Sequence, residues 1–297
     1  MVVVRKRKIG NEEFFYLEHT IRVNNKIEKK ERYLGKVIPE NINSIKQEFF
    51  HELFKEKWYS LLNRVKKNFS GEYNKFPETA KQKYLESFLI KFTYNTNRIE
   101  GSTLTLRDTA NLLKEGISPK NKPVKDIKEA ESHKRLFYIM LDYKKDLNLN
   151  MILYWHRVLL QDIDKEIAGK IRDHQVAIAG TTVQLPYPVE LNVLLEEFFK
   201  WYRRAKNKLH PVELAALVHL KFVSIHPFTD GNGRISRILM NFVLNKNKFP
   251  MLDILYSNRS SYYTALERSQ KTGKEYIFVQ YLIKRYSKEY KKYTTQQ

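Results

Sequence analysis

Residues 226–237, His-Pro-Phe-Thr-Asp-Gly-Asn-Gly-Arg-Ile-Ser-Arg, bring together side chains suited to nucleotide chemistry. The imidazole of His226 titrates in the range a general base needs near neutral pH. Asp230 offers the kind of carboxylate that holds Mg²⁺ beside phosphate oxygens. Gly231 and Gly233 bracket Asn232 directly before an apolar periodicity at Ile235, Ile238, Leu239 and Phe242, which predicts a helix beginning at the glycines. Glycine permits close backbone approach, and free N–H groups at a helix start attract anions, phosphate above all. Arg234 and Arg237 are three apart and share a helix face, where two guanidiniums can take polyphosphate oxygens. Each feature alone has a structural explanation: a turn, a helix start, a solvated face. Their order within one loop points to attack by a hydroxyl on a nucleotide phosphate.

Helices must position this loop. Apolar spacing predicts them over 78–100, 126–145, 150–160, 190–205, 211–223, 233–245, 260–270 and 276–286. Gly101 stands where the first of these would stop. Between them, Gln175-Val-Ala-Ile-Ala-Gly-Thr-Thr-Val-Gln-Leu-Pro reads as two short strands around a Gly180 turn. The first 40 residues differ again. Phe14-Phe-Tyr-Leu, His19-Thr-Ile-Arg-Val and Arg32-Tyr-Leu-Gly are β-prone runs, with Asn24-Asn25 as a turn. The fold class expected is mainly α: a helical bundle with a β-hairpin flap and a small N-terminal antiparallel β element. The expected divisions are 1–40 (β-rich), 41–105 (helical), 106–288 (the core domain) and 289–297, a polar tail expected to fray.

Composition bounds the function. The chain has 297 residues, no cysteine and a formal net charge of +21. Disulfides, thiolate metal ligands and a cysteine nucleophile are excluded. No apolar run is long enough to span a bilayer, and the start is too short in apolar residues for a signal peptide, so a cytoplasmic protein is expected. Lys and Arg are dispersed along the whole chain, which favours solubility over a nucleic-acid site. A groove-binding role for the basic N-terminal element is the alternative reading.

The pattern His226-x-Phe228-x-Asp230-Gly-Asn-Gly-Arg234-x-x-Arg237 resembles the complete signature of the Fic family. The resemblance extends to His210-Pro-Val-Glu-Leu-Ala-Ala-Leu-Val-His219 and covers about residues 78 to 286. It implies a protein adenylyltransferase that moves AMP from ATP to a Ser, Thr or Tyr hydroxyl of a target protein. His226 would take the hydroxyl proton, and Asp230 would hold Mg²⁺ or Mn²⁺. Gly231, Asn232, Gly233, Arg234, Ile235, Ser236 and Arg237 would surround the phosphates, with Arg237 on the γ-phosphate. Flap residues Ile178, Ala179, Gly180 and Thr181 would cover the nucleotide and dock the target by strand addition. Tyr262, Tyr263 and Gln270 would lie near the adenine. The small Gly231 implies AMP transfer, unlike the bulkier core of the Doc-type kinases.

Thr96-Asn-Arg-Ile-Glu100-Gly101 resembles the inhibitory motif that some Fic proteins carry ahead of the core. It implies that Glu100 pairs with Arg237 and keeps ATP in an unproductive pose. Inhibited relatives are often dimers, so a homodimer is a further implied partner. The resemblance also leaves room for removal of AMP by the same glutamate. Two other functions stay open: a nucleic-acid-binding regulator with a Fic-like sensor, and a Fic enzyme moving another group such as UMP.

Overall fold

The computed structural model describes residues 2–23, 26–178 and 180–294. The expected Asn24-Asn25 turn and the flap residue Ala179 lie outside the described residues. The chain divides into two compact units, residues 1–64 with the extreme C-terminus, and Val65–Tyr293.

The first unit holds an antiparallel sheet in the order β1 (Val3–Ile9), β2 (Glu12–Val23), β3 (Lys26–Gly35). Two of the expected β runs, at 14–17 and 19–23, are one continuous strand. The sequence reading missed β1, whose Val-Val-Arg-Lys-Arg-Lys-Ile carries too much charge to look like a strand. An edge strand tolerates that charge, and β2 answers it. Lys6 pairs with Glu13 at 2.6 Å, while Arg7 reaches both Glu18 and Glu31. Lys29 lies 2.9 Å from Glu18 and 2.8 Å from Glu31. Leu17, His19 and Ile21 alternate onto one face, as a strand requires. Leu17 and Ile21 are buried, and His19 meets Phe50 of α1 (Ile42–Phe54) edge-on.

The second unit is helical. After α2 (Ser60–Tyr73) come α3 (Glu78–Ile99), α4 (Leu106–Glu115), α5 (Val124–Asp142) and α6 (Leu149–Leu160). Then follow α7 (Leu191–Ala205), α8 (Pro211–Ile225), α9 (Asn232–Lys246), α10 (Arg259–Thr272) and α11 (Tyr276–Glu289). Helix α8 is apolar almost all round, as a central helix must be, and α9 packs along it. Starts and stops follow local chemistry. Thr105 and Asp108 form a capping box on α4, Asn148 caps α6, and left-handed Gly116 ends α4.

Two expectations change here. The 175–186 segment turns back on itself at Gly180, but no strand ladder forms among its described residues. Side chains take that role instead: Arg172 donates to the carbonyls of His174 and Pro186, and Gln175 donates to Leu185 O at 3.1 Å. Pro186 and Pro188 also lack the N–H a ladder needs. At the other end, the tail expected to fray stays packed as far as Tyr293. Tyr290 and Tyr293 are 7 % and 8 % exposed, and both meet Phe69 edge-on. No helix among the described residues is long and apolar enough to cross a membrane.

Candidate active site

His226 caps the C-terminus of α8 in the left-handed region, with φ 52°. A non-glycine residue there is strained by about 1–2 kcal/mol. The position is held from both sides: His226 N–H donates to Phe222 O at 3.1 Å, and Arg172 Nε donates to His226 O at 2.9 Å. The ring is oriented too. Its Nδ1 lies 3.1 Å from Val223 O, and a carbonyl can only accept. Nδ1 therefore carries the proton, and Nε2 presents a lone pair, the state a general base requires. Burial lowers this imidazole below the ordinary histidine value, partly offset by the Val223 carbonyl, so it is neutral at pH 7.

The turn from Phe228 to Asn232 is shaped by a single amide. Asn232 Oδ1 accepts from Phe228 N at 3.0 Å, and its Nδ2 donates to Phe228 O at 2.7 Å. The Asn232 side chain thus shapes the loop. Gly231 opens α9 at φ 81°, where a side chain would be strained. The first intrahelical bond runs from Ile235 N–H to Gly231 O. The amides of Asn232, Gly233 and Arg234 precede it and form the anion-attracting helix start. The side chains of Ile235 and Ser236 do not face that site. Ile235 lies in the core, and Ser236 Oγ donates to Asn232 O at 2.7 Å.

The two arginines are buried, each 1 % exposed. Arg234 donates to Glu129 Oε1 at 3.0 Å and to Asp230 Oδ2 at 2.9 Å. Arg234 thus anchors Asp230. Asp230 also accepts from Gly231 N at 2.6 Å. Burial would raise the Asp230 carboxyl, but Arg234 outweighs it and holds the group below the usual aspartate value. Arg237 donates through Nε to Thr96 Oγ1 at 2.7 Å and through Nη2 to Glu100 Oε1 at 2.5 Å. Its Nη1 lies 3.4 Å from Tyr262 OH. Burial opposes charge on Arg237, and Glu100 outweighs it. The Glu100 carboxylate also fills the space where a Cβ on Gly233 would go.

Of the aromatic pair, Tyr262 is 1 % exposed and bonds His219 Nε2 at 2.9 Å. It positions Arg237 and is too deep to touch a base. Tyr263 is 44 % exposed, with its hydroxyl on Ile99 O, and can cover a ligand. Thr181 of the flap donates to Glu267 on α10 at 3.0 Å. Gln270 donates to Ser224 Oγ at 3.2 Å. It lines a cavity of ≈ 1230 Å³ that also meets flap residues Thr182 to Tyr187.

Three site residues escaped the sequence reading. Arg172, 4 % exposed, ties His226 O to both ends of the flap. Glu129 shares Arg234. His156 stacks on Phe228 with ring centroids 3.6 Å apart. Its Nδ1 accepts from Gly169 N at 2.8 Å, so its Nε2–H donates to Asp230 O at 2.9 Å. None of the three carries a local spacing signal, because each acts from a different element. No cluster of three or more His, Cys, Asp or Glu able to cage a metal occurs among the described residues.

Residues 146–244 match the family model described as Fic/DOC family. Curated proteins named protein adenylyltransferase Fic, from Drosophila ananassae and Drosophila melanogaster, are each 35% identical over 178 residues, covering 59% of this chain. The chain spans only about a third of their length, 35% and 36% respectively. A Fic-domain-containing signaling protein from Bacteroides thetaiotaomicron superposes with a TM-score of 0.68 and 28% identity, covering 78% of this chain and 96% of that one. Fic-1 from C. elegans gives 0.67 and 26%, covering 79% and 70%. With the signature loop folded as its residues require, residues 146–244 form a domain that matches the Fic/DOC family.

Proposed function

We propose that this chain is a protein adenylyltransferase held inactive by its own Glu100. The observation that carries the reading is the Glu100–Arg237 pair lying over Gly233, at the start of the helix that would receive the triphosphate. The names of the curated relatives support the reaction class. In the reaction, a target hydroxyl oxygen attacks the α-phosphorus of ATP. The bond to the bridging oxygen breaks, pyrophosphate leaves, and the hydroxyl proton passes to His226 Nε2. The free amides at the α9 start hold phosphate oxygens, and Arg237, once released, takes the γ-phosphate.

Asp230 suits Mg²⁺. Its side chain is 45 % exposed, and as a single carboxylate it matches an ion held jointly with phosphates and water rather than by a protein cage. Such an ion would offset phosphate charge. His156 and Arg234 fix where the Asp230 carboxylate sits.

The flap is the docking edge for the target. Its described residues are not paired in a ladder, which leaves room for an added strand. Intact-mass analysis tests the reading directly. Glu100→Gly protein incubated with ATP, Mg²⁺ and a candidate target, or with itself, gains one AMP mass per site, and wild type gains little. Equal masses for the two proteins reject the brake. No added AMP in either rejects the transferase, and a UMP-sized addition from UTP replaces the donor.

A further inference from the structure

Helix α3 has a second polar face about 100° from the one that holds Arg237. Thr96 and Glu100 point to Arg237, whereas Asn95, the residue before Thr96, points into a cavity of ≈ 700 Å³. That volume lies in the range of small-molecule sites. Tyr84, Phe88 and Asn95 form its α3 wall, with Asp253, Tyr256 and Tyr290 opposite. The residues of the signature loop do not line it.

Its chemistry centres on Asp253. The side chain is 8 % exposed. Oδ2 accepts from Asn95 Nδ2 at 2.6 Å, but Oδ1 has no hydrogen-bond partner among the described residues. Burial, opposed only partly by the Asn95 bond, pushes the carboxyl up to about 7. A half-satisfied buried carboxylate is a costly feature that calls for a donor. The rest of the wall is rich in aromatic rings, whose faces attract organic cations. Lys91 and Lys292 belong to the exposed rim, and Lys292 is already paired with Glu72 at 3.0 Å.

We propose that this cavity binds a small organic ammonium ion, whose body packs among the aromatic side chains and whose charge is offset by the Asp253 carboxylate in the wall. Asn95 also accepts from Tyr256 N at 2.8 Å. An occupant therefore contacts the turn of α3 adjoining the Arg237 clamp. Binding is measured without reference to any transferase activity.

The test is calorimetric titration of the full chain with tyramine, benzylamine and cyclohexylamine. At least one amine is expected to bind saturably to a single site, and at least tenfold more weakly to Asp253→Asn. Ser87→Trp, at the exposed α3 rim, is expected to weaken binding at least tenfold with an unchanged melting temperature. This second variant keeps the test decisive if Asp253→Asn folds poorly. 3-(4-Hydroxyphenyl)propionate, matched to tyramine in shape but opposite in charge, is expected not to bind. The site is overturned if none of the amines saturates by about 10 mM, the weak limit for a real site. It is equally overturned if both variants bind like wild type, or if the propionate binds as tightly as tyramine. Those results describe a cavity that holds water alone.

Discussion

Glu100 Oε1 accepts from Arg237 Nη2 at 2.5 Å, across 137 residues of sequence, and the same carboxylate sits where Gly233 has no side chain. One contact thus consumes the guanidinium and crowds the helix start, the two features best able to receive phosphate.

Glu100→Gly is expected to raise AMP labelling at least about tenfold, the change that 1.4 kcal/mol of lost competition produces. The same variant loses stability, because Arg237 stays buried without its carboxylate. The loss is expected at about 1–2 kcal/mol, below the ~3–5 for a fully buried pair. Glu100 is 28% exposed, and Arg237 keeps its Thr96 and Tyr262 contacts. Radiolabelled ATP and urea denaturation measure the two effects.

His226→Ala in the Glu100→Gly background is expected to lower labelling by about 10²–10⁴-fold. The pH profile carries a sign. A base works when neutral, and burial lowers the His226 value below that of a free histidine. The rate should therefore be flat above pH 6.5 and fall only below it. A decline between pH 8 and 7 would assign the base to another group.

Arg172→Lys is expected to destabilise the fold by about 2 kcal/mol, since a single ammonium cannot serve the carbonyls of His226, His174 and Pro186 together. Its signature is local. Limited proteolysis should cut within 175–186 faster than in wild type, whereas uniform cutting along the chain would argue for general unfolding.

Acid sensitivity follows from histidines buried in the neutral form. Burial holds His156 and His210 down to about 4, and His133 down to about 3. Because these folded values lie below the unfolded one, their stabilisation is complete above about pH 6.5. It is lost progressively as pH falls toward 4 and 3. The urea midpoint should drop between pH 7 and 4.5. His156→Phe, which keeps the stack on Phe228 but cannot protonate, should flatten part of that drop while weakening the Asp230 turn.

The helices around the site were legible because their apolar spacing is long and regular, and the loop because its imidazole, carboxylate, glycines and arginines fall within one stretch of chain. Thr96 and Glu100 were legible as a motif on α3. The sequence reading failed where local propensity and tertiary context disagreed. β1 is too charged to read as a strand until β2 supplies its glutamates, and the flap looks like a ladder until Arg172 takes its carbonyls. The tail looks polar until Tyr290 and Tyr293 find Phe69. Asn232, Ile235, Ser236 and Tyr262 stand in the right stretch, but which way each side chain turns depends on neighbours far away in sequence. By itself the sequence determined which chemical groups are present and which helices carry them. Only tertiary structure decided which groups are already spent on one another, because hydrogen bonds and burial are set by residues that chain order does not bring together.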